Sequence, residues 1–248
     1  MDAEAGTKDI NPGQVQKIAS GFVLMKGAID EETQIKLAKC AMAAGLDSRR
    51  GFWLDDGQGG SKFNATNTRG RIYDAISTYP NPEVMLDLCL ELVNRARSLD
   101  DALPEMQPTH LLLLCYTGVK GMGWHSDTGK NDGDNNHPIV SISLGNSCNF
   151  GYRPAVDAER TSLVLESGDV AVWGGPLRMM EHSVKKVIPN TMPEGLKQML
   201  QEANYSKGHA IEQLRFNFTF RDAPSVRGQE DRFAFFRPYD TKREQSEN

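Results

Sequence analysis

Apolar and polar positions along the chain change rhythm near residue 108. Ahead of it, apolar residues recur at helical spacing. Residues 30–44 predict one helix: Asp30 stands as its cap, and Glu31 and Glu32 favour the positive end. Ile35, Ala38 and Met42 form an apolar face, and Gly45 offers a stop. A second helix starts at Asn81, as cap, and Pro82. Met85, Cys89, Leu92 and Ala96 lie along one side, and Glu91 and Arg95 sit one turn apart. It reads as a buttress behind a sheet. After Pro108 the rhythm is that of strands. Residues 109–116 form a continuous apolar run, as in a strand covered on both faces. In 139–144, Ser141 and Ser143 interleave with larger apolar residues. Strands over 162–165 and 170–173 flank a Ser167-Gly168-Asp169 turn, Gly174-Gly175-Pro176 interrupts, 182–187 resumes, and 212–221 closes the set. Short strands separated by turns, behind N-terminal helices, predict an α+β, mainly β fold: an antiparallel sandwich or jelly roll.

Several stretches follow neither rhythm. Residues 1–16 read as a lead-in before the short apolar piece Phe22-Val23-Leu24. Residues 47–73, rich in Gly, Asn, Thr and Ser, predict long loops or an irregular hairpin. Residues 128–138 read as a solvated polar loop, and 189–208 as an insertion with a short helix over 194–203. A tail from Ser225 carries Phe233, Phe235 and Phe236, which suit a fold back onto the body. The chain has no repeats and no second domain boundary.

Composition narrows the function. With 248 residues, 39% hydrophobic and 25% charged, the chain has an ordinary soluble composition and enough apolar residues for a sizeable core. A net charge of −5 excludes binding of a polyanion by overall charge, so such a role needs a local basic surface. Cys40, Cys89, Cys115 and Cys148 lack zinc-ligand spacing; Cys89 and Cys115 lie in apolar runs and read as buried thiols. Residues 1–11 lack the apolar segment of a signal peptide, and no run approaches the roughly 18 apolar residues of a membrane span. An intracellular protein, cytoplasmic or nuclear, with no membrane partner is expected.

His125 and Asp127 form an H-x-D pair. On a strand, residues two apart project the same way, so both can address one metal. His182 follows a hairpin and a Gly-Gly-Pro turn, where a neighbouring strand can supply a third ligand. Two histidines and a carboxylate on one face suit a mononuclear Fe(II) with positions left open, unlike a closed zinc site. His110, His137 and His209 lack such a frame and read as structural.

The strand 214–221 leaves two readings open. Period two places Arg215, Asn217, Thr219 and Arg221 on one face and Leu214, Phe216, Phe218 and Phe220 on the other. Phenylalanine inward with arginine in water is the commoner arrangement, because arginine is rarely buried unpaired. If helices pack outside a β-roll, the phenylalanines bury against them and the arginines face an interior anion; the adjacent triad favours this second arrangement. Residues 57–73 also allow two readings. Lys62, Arg69 and Arg71 occur there without an acid, with Phe52, Trp53, Phe63 and Tyr73 interleaved in and near the stretch. Cations and aromatic faces suit a nucleobase and its phosphate, whereas aromatics alone can pin a loop to the core.

From Leu114 to Ala223 the sequence resembles the AlkB family of Fe(II)- and 2-oxoglutarate-dependent dioxygenases. The residues that carry the resemblance are the Tyr116 strand, His125-Ser126-Asp127, residues 138–145, residues 167–175 through Trp173-Gly174-Gly175, His182, and Arg215-Phe216-Asn217-Phe218-Thr219-Phe220-Arg221. The last matches the family's R-x-N-x-T-x-R signature at every fixed position. The resemblance implies a double-stranded β-helix (jelly roll) buttressed by N-terminal helices. It divides a single domain over 1–248 into helices and a nucleotide-recognition lid (1–108), the catalytic jelly roll (109–223) and a tail (224–248). It makes His125, Asp127 and His182 the catalytic iron ligands. Arg215 would pair with the distal carboxylate of 2-oxoglutarate, helped by Tyr116 and Asn217, and Arg221 would lie near the metal-chelating end. Trp173 matches a tryptophan close to the site, with a core role equally open. Trp53, Lys62, Arg69, Arg71 and Tyr73 occupy the place of the lid and are candidate substrate contacts. Two positions depart from the founding bacterial member: an asparagine there is Leu114 here, and an acidic residue two beyond the metal aspartate is Gly129. The 189–208 insertion resembles the branch of homologues numbered first in animals and plants.

The implied activity is oxidative demethylation of N-alkylated bases in DNA or RNA. Iron, 2-oxoglutarate and O2 would convert an N-methyl group to formaldehyde, with release of succinate and CO2. A base in a duplex would be flipped to reach the metal. The alternative is a dioxygenase of the same chemistry acting on a protein, lipid or small molecule, favoured by the net charge and by Gly129.

Overall fold

Strand rhythm in the second half of the chain produces two facing sheets, with helices behind one of them. The computed structural model describes residues 13–46, 51–55, 57, 61–63, 70–127, 136–154, 158–203 and 211–223, with backbone alone for 54–55 and 61–63. The strands are β1 (Val15–Ala19), β2 (Phe22–Met25), β3 (Trp53–Asp55), β4 (Ser61–Phe63), β5 (Arg71–Ala75), β6 (His110–Tyr116), β7 (Lys120–His125), β8 (Ile139–Gly145), β9 (Cys148–Arg153), β10 (Thr161–Leu165), β11 (Val170–Trp173), β12 (Glu181–Val187) and β13 (Arg215–Arg221). The α-helices are α1 (Glu31–Gly45), α2 (Pro82–Leu99) and α3 (Glu194–Glu202). The major sheet runs β1-β2-β11-β8-β13-β6-β5 and the minor sheet β10-β9-β12-β7, every pair antiparallel. This is the expected double-stranded β-helix. Among the described residues, no helix is long and apolar enough to cross a membrane.

The two faces of the major sheet are chemically distinct, and their difference creates the site. Val140, Ile142, Leu144, Phe216, Phe218 and Phe220 point outward and bury against Leu37 and Ala41 of α1 and Met85 and Leu92 of α2. Each such side chain withdrawn from water stabilises the fold by roughly 1.5–3 kcal/mol. The inner face brings Phe22, Leu24, Ile139 and Trp173 onto Phe150, Leu163 and Leu165 of the minor sheet. On β13 this decides between the two readings: the phenylalanines cover the helix side, and Arg215, Asn217, Thr219 and Arg221 are all buried on the interior side. The arrangement with arginines in water is excluded, because both faces of this central strand are covered. On β6, Leu111, Leu113 and Cys115 pack under the helices, while Leu112, Leu114 and Tyr116 face the interior.

Several local expectations need correction. Asp30 caps α1, its Oδ1 accepting from the Thr33 amide at 2.7 Å. Gly45, however, is no stop but the last helical residue; a Cβ there would lie 2.5 Å from the Phe52 ring and 2.8 Å from the Trp53 ring, so its role is close approach. Asn81 precedes α2 in a left-handed conformation (φ 52°) and makes no side-chain cap bond. Its amide lies 4.0 Å from Cys40 Sγ. Val15–Ala19 is an edge strand overlapping the expected lead-in, and Arg71–Ala75 joins the major sheet beside β6. β3 and β4 form the hairpin expected within 47–73. The helix predicted over 194–203 is α3, whose Gly195 packs against the Glu31 carboxylate. All four cysteines are free and buried, and burial raises the thiol pKa of Cys89 and Cys115. Residues 128–135 and the tail from 224 lie outside the described residues.

Candidate active site

β7 and β12 pair so that His125 and His182 are directly opposed, with ring centroids 4.3 Å apart. Each ring has one nitrogen against a main-chain carbonyl: His125 Nδ1 lies 2.8 Å from Gly123 O and His182 Nδ1 3.0 Å from Met180 O. A carbonyl can only accept, so in the neutral ring Nδ1 carries the proton and Nε2 the lone pair. Those lone-pair nitrogens lie 3.8 Å and 3.9 Å from Asp127 Oδ1, and the three ligand atoms fall within 4.8 Å of one another. Asp127 does not lie on the strand as expected; β7 ends at His125. Arginines hold it instead. Arg221 Nη2 donates to its Oδ1 at 2.8 Å and Arg178 Nη1 to its main-chain oxygen at 2.7 Å. The His125 side chain is 33% exposed against 8% for Asp127 and His182, so the open side of the triad lies at His125.

These residues fit a divalent metal. Burial holds the His182 pKa below the ordinary histidine value, against the opposing pull of Asp127 and the Met180 carbonyl, and so keeps the imidazole in its ligating form. Carbonyl partners on the far nitrogens fix ring orientation, as is usual around metal-bound histidine.

At the other end of the cavity lies Arg215, 1% exposed. Its Nη2 donates to Ser143 Oγ at 2.8 Å and its Nη1 to Asn146 O at 3.1 Å. Both acceptors are neutral, and Nε has no partner among the described residues. Tyr116 is the cross-strand partner of Arg215. Burial, opposed by Arg215, pushes the Tyr116 phenol up to about 12, so it stays a proton donor at neutral pH. Asn217 Nδ2 donates to Ser141 Oγ at 2.8 Å, and Thr219 Oγ1 donates to Asn217 Oδ1 at 2.6 Å. A cavity of about 40 Å³ connects the triad to Arg215, with Leu112, Leu114, Met122 and Val184 among its walls. The Leu114 position is therefore an apolar wall.

The remaining candidates divide. Trp173 lines the cavity, 2% exposed, its ring centroid 5.0 Å from that of His182; it is both a core residue and a neighbour of the triad. Tyr73 lies beside the site, with Arg221 Cζ 5.5 Å from its ring and the His110 ring 5.4 Å away. Arg71, two residues earlier on β5, is exposed and pairs in register with Leu114. Trp53 must be withdrawn as a substrate contact. It is fully buried on the helix side of the major sheet, edge-on to Phe52 (4.7 Å) and Phe216 (5.8 Å). The Lys62 side chain, Arg69 and Gly129 lie outside the described residues. Sequence reasoning missed Arg178, Asn146 and the hydroxyls of Ser141 and Ser143 as site components. The alternation of small serines with large apolar residues in β8 was the available signal for the last two.

The family model described as the 2OG-Fe(II) oxygenase superfamily matches residues 21–221. A DNA N(6)-methyladenine demethylase of Arabidopsis thaliana, ALKBH1D, is 30% identical over 82% of this chain and 50% of its own length. The alpha-ketoglutarate-dependent dioxygenase AlkB of Escherichia coli is 28% identical over 64% of this chain and 66% of its own. The chain thus spans about half of the plant relative. Among solved structures, that of OsALKBH1 superposes with a TM-score of 0.62 at 23% identity, covering 84% of this chain and all of that one, a likeness of fold. The match over residues 21–221, together with the relatives it falls among, places this chain in the 2OG-Fe(II) oxygenase superfamily, as a member of its AlkB family.

Proposed function

We propose that the chain is an Fe(II)- and 2-oxoglutarate-dependent dioxygenase that removes N-methyl groups from bases in DNA or RNA. One observation carries the reading: a fully buried guanidinium, Arg215, with only neutral acceptors, faces a cavity whose other end is two histidines and an aspartate. A buried cation without a counter-charge is costly, and a dicarboxylate spanning the cavity supplies one. In this reading His125, Asp127 and His182 hold Fe(II). Arg215 binds the distal carboxylate of 2-oxoglutarate, with the Tyr116 phenol as a second donor. Asn217 supports that end, and Arg221 steadies Asp127 and the near end of the co-substrate.

Iron with 2-oxoglutarate and O2 supplies oxidation of an unactivated C–H bond, yielding succinate and CO2. The protein's own residues place the reactants and keep water out. Arg221 fixes the carboxylate oxygen that faces both histidines. Trp173, Phe150 and Leu114 dry the cavity, which strengthens the Arg215 pairing. The open side at His125 is where a methylated base would enter, flipped from a duplex or presented unpaired. Tyr73, beside Arg221, and Arg71, two residues earlier on β5, are the aromatic and cationic side chains this reading assigns to contact that base. Relatives named as nucleic-acid demethylases, among them the tRNA demethylase abh1 of Schizosaccharomyces pombe, favour this substrate class.

Incubation with Fe(II), 2-oxoglutarate and DNA and RNA carrying a panel of N-methylated bases, read by nucleoside mass spectrometry, tests the proposal. Loss of at least one methylated base with matching formaldehyde is expected, abolished by His125→Ala. Succinate release driven by peptides or metabolites, with every nucleic acid inert, would transfer the activity to that other substrate class.

A further inference from the structure

We infer that Arg178 is a positioning residue for the metal site: with Ser126 it clamps the turn bearing Asp127 to the connection that leads into His182. This rests on the metal-binding role proposed for the triad. The need for a clamp comes from the topology. His125 and His182 are fixed by the strand ladder, as directly opposed residues. Asp127 lies past the end of β7, where the ladder no longer reaches.

Two hydrogen bonds running in opposite directions take its place. Arg178 Nη1 donates to the main-chain oxygen of Asp127 at 2.7 Å, and Ser126 Oγ donates to the main-chain oxygen of Met179 at 2.9 Å. The connection they grip is wound tight. Leu177, Arg178 and Met180 amides donate to the carbonyls of Gly174, Gly175 and Leu177. Gly175 sits at φ 53° with the Ala102 carbonyl where a Cβ would stand, so only glycine makes this turn. The Met180 carbonyl then orients His182 through Nδ1. The backbone of Asp127 is thus held by Arg178 and its carboxylate by Arg221, one arginine on each side of the same residue. Arg178 is 4% exposed, and its guanidinium donates to the main chain of the residue that carries one of the three ligands.

Partners of this kind around metal ligands are worth about 10–100-fold in metal affinity. The full chain titrated with Co(II) alone, read by the metal's visible absorption, measures the effect without turnover. Wild-type protein should bind Co(II), and His125→Ala should not; absence of wild-type binding overturns the metal reading and the clamp together. Given that binding, Arg178→Gln should weaken Co(II) by about 10–100-fold. Arg178→Lys, which keeps a donor, should recover part of the loss, and the Co(II) spectrum of Arg178→Gln should differ from wild type. Ser126→Ala should weaken binding by a smaller factor, and the double variant by less than the product of the two. Arg178→Gln within twofold of wild type overturns the clamp. Where Arg178→Gln does not fold, Ser126→Ala decides: affinity within twofold of wild type overturns it too.

Discussion

Arg215 and Trp53 are both withdrawn from water, for opposite chemical reasons. Trp53 is buried because its ring fills space between Phe52 and Phe216 behind the major sheet. Arg215 is buried on the other side of the same sheet, where apolar contact gives a guanidinium nothing and only an anion can satisfy it. Side-chain type alone made Trp53 a candidate base platform; its neighbours make it an anchor. Trp53→Ala is accordingly expected to cost about 3–5 kcal/mol of unfolding free energy in urea, as other large buried aromatics do when truncated. Selectivity among methylated substrates, measured on the folded fraction, should not change. A variant of full stability with altered selectivity would return Trp53 to the substrate.

Elements here are joined by buried charges as well as by apolar packing. Asp100, just past α2, accepts from Lys17 Nζ at 2.7 Å on β1 and from the Gly21 amide at 2.6 Å in the β1–β2 turn. It is 1% exposed. Burial pushes its pKa up, but the bonds from Lys17, Gly21 and Ala102 outweigh it and hold the carboxyl below its ordinary value. A carboxylate with a depressed folded pKa contributes stability above the unfolded value of about 3.9, and that contribution is lost as pH falls through the folded value. Asp100→Asn should therefore lower stability at neutral pH by about 1–3 kcal/mol and flatten the acid limb of the stability curve below about pH 4. Urea titrations from pH 2 to 7 check this; an unchanged acid limb would remove Asp100 from the account. Nothing in the local pattern singled Asp100 out, since its partners come from the far end of the chain. The same holds for Arg178. By contrast, α1, α2 and most major-sheet strands were legible, because their apolar spacing is set by neighbours within a turn or a pleat. β7, with Gly121 and Gly123 among its six residues, carries too little apolar signal to be read as a strand.

At the scale of the whole molecule, the sequence order of His125, Asp127, His182 and the Arg215 strand carried the site, while which face of that strand turns inward stayed open between two readings. The layering decides it. Helices on the outer face of the major sheet free β13 to turn Arg215, Asn217 and Arg221 inward. The layers also bring β7 and β12 under that face, so the triad and the guanidinium open onto one cavity. The account stands on Arg215 being there for a dicarboxylate. Anaerobic calorimetric titration of 2-oxoglutarate into the Fe(II)-loaded protein, wild type against Arg215→Met, measures this most directly. Removing one partner of a buried charge pair costs roughly 2–5 kcal/mol. Binding by the wild type and a loss of about 30-fold or more in Arg215→Met are predicted, with Fe(II) retained. Equal affinity in the two proteins would contradict the central claim.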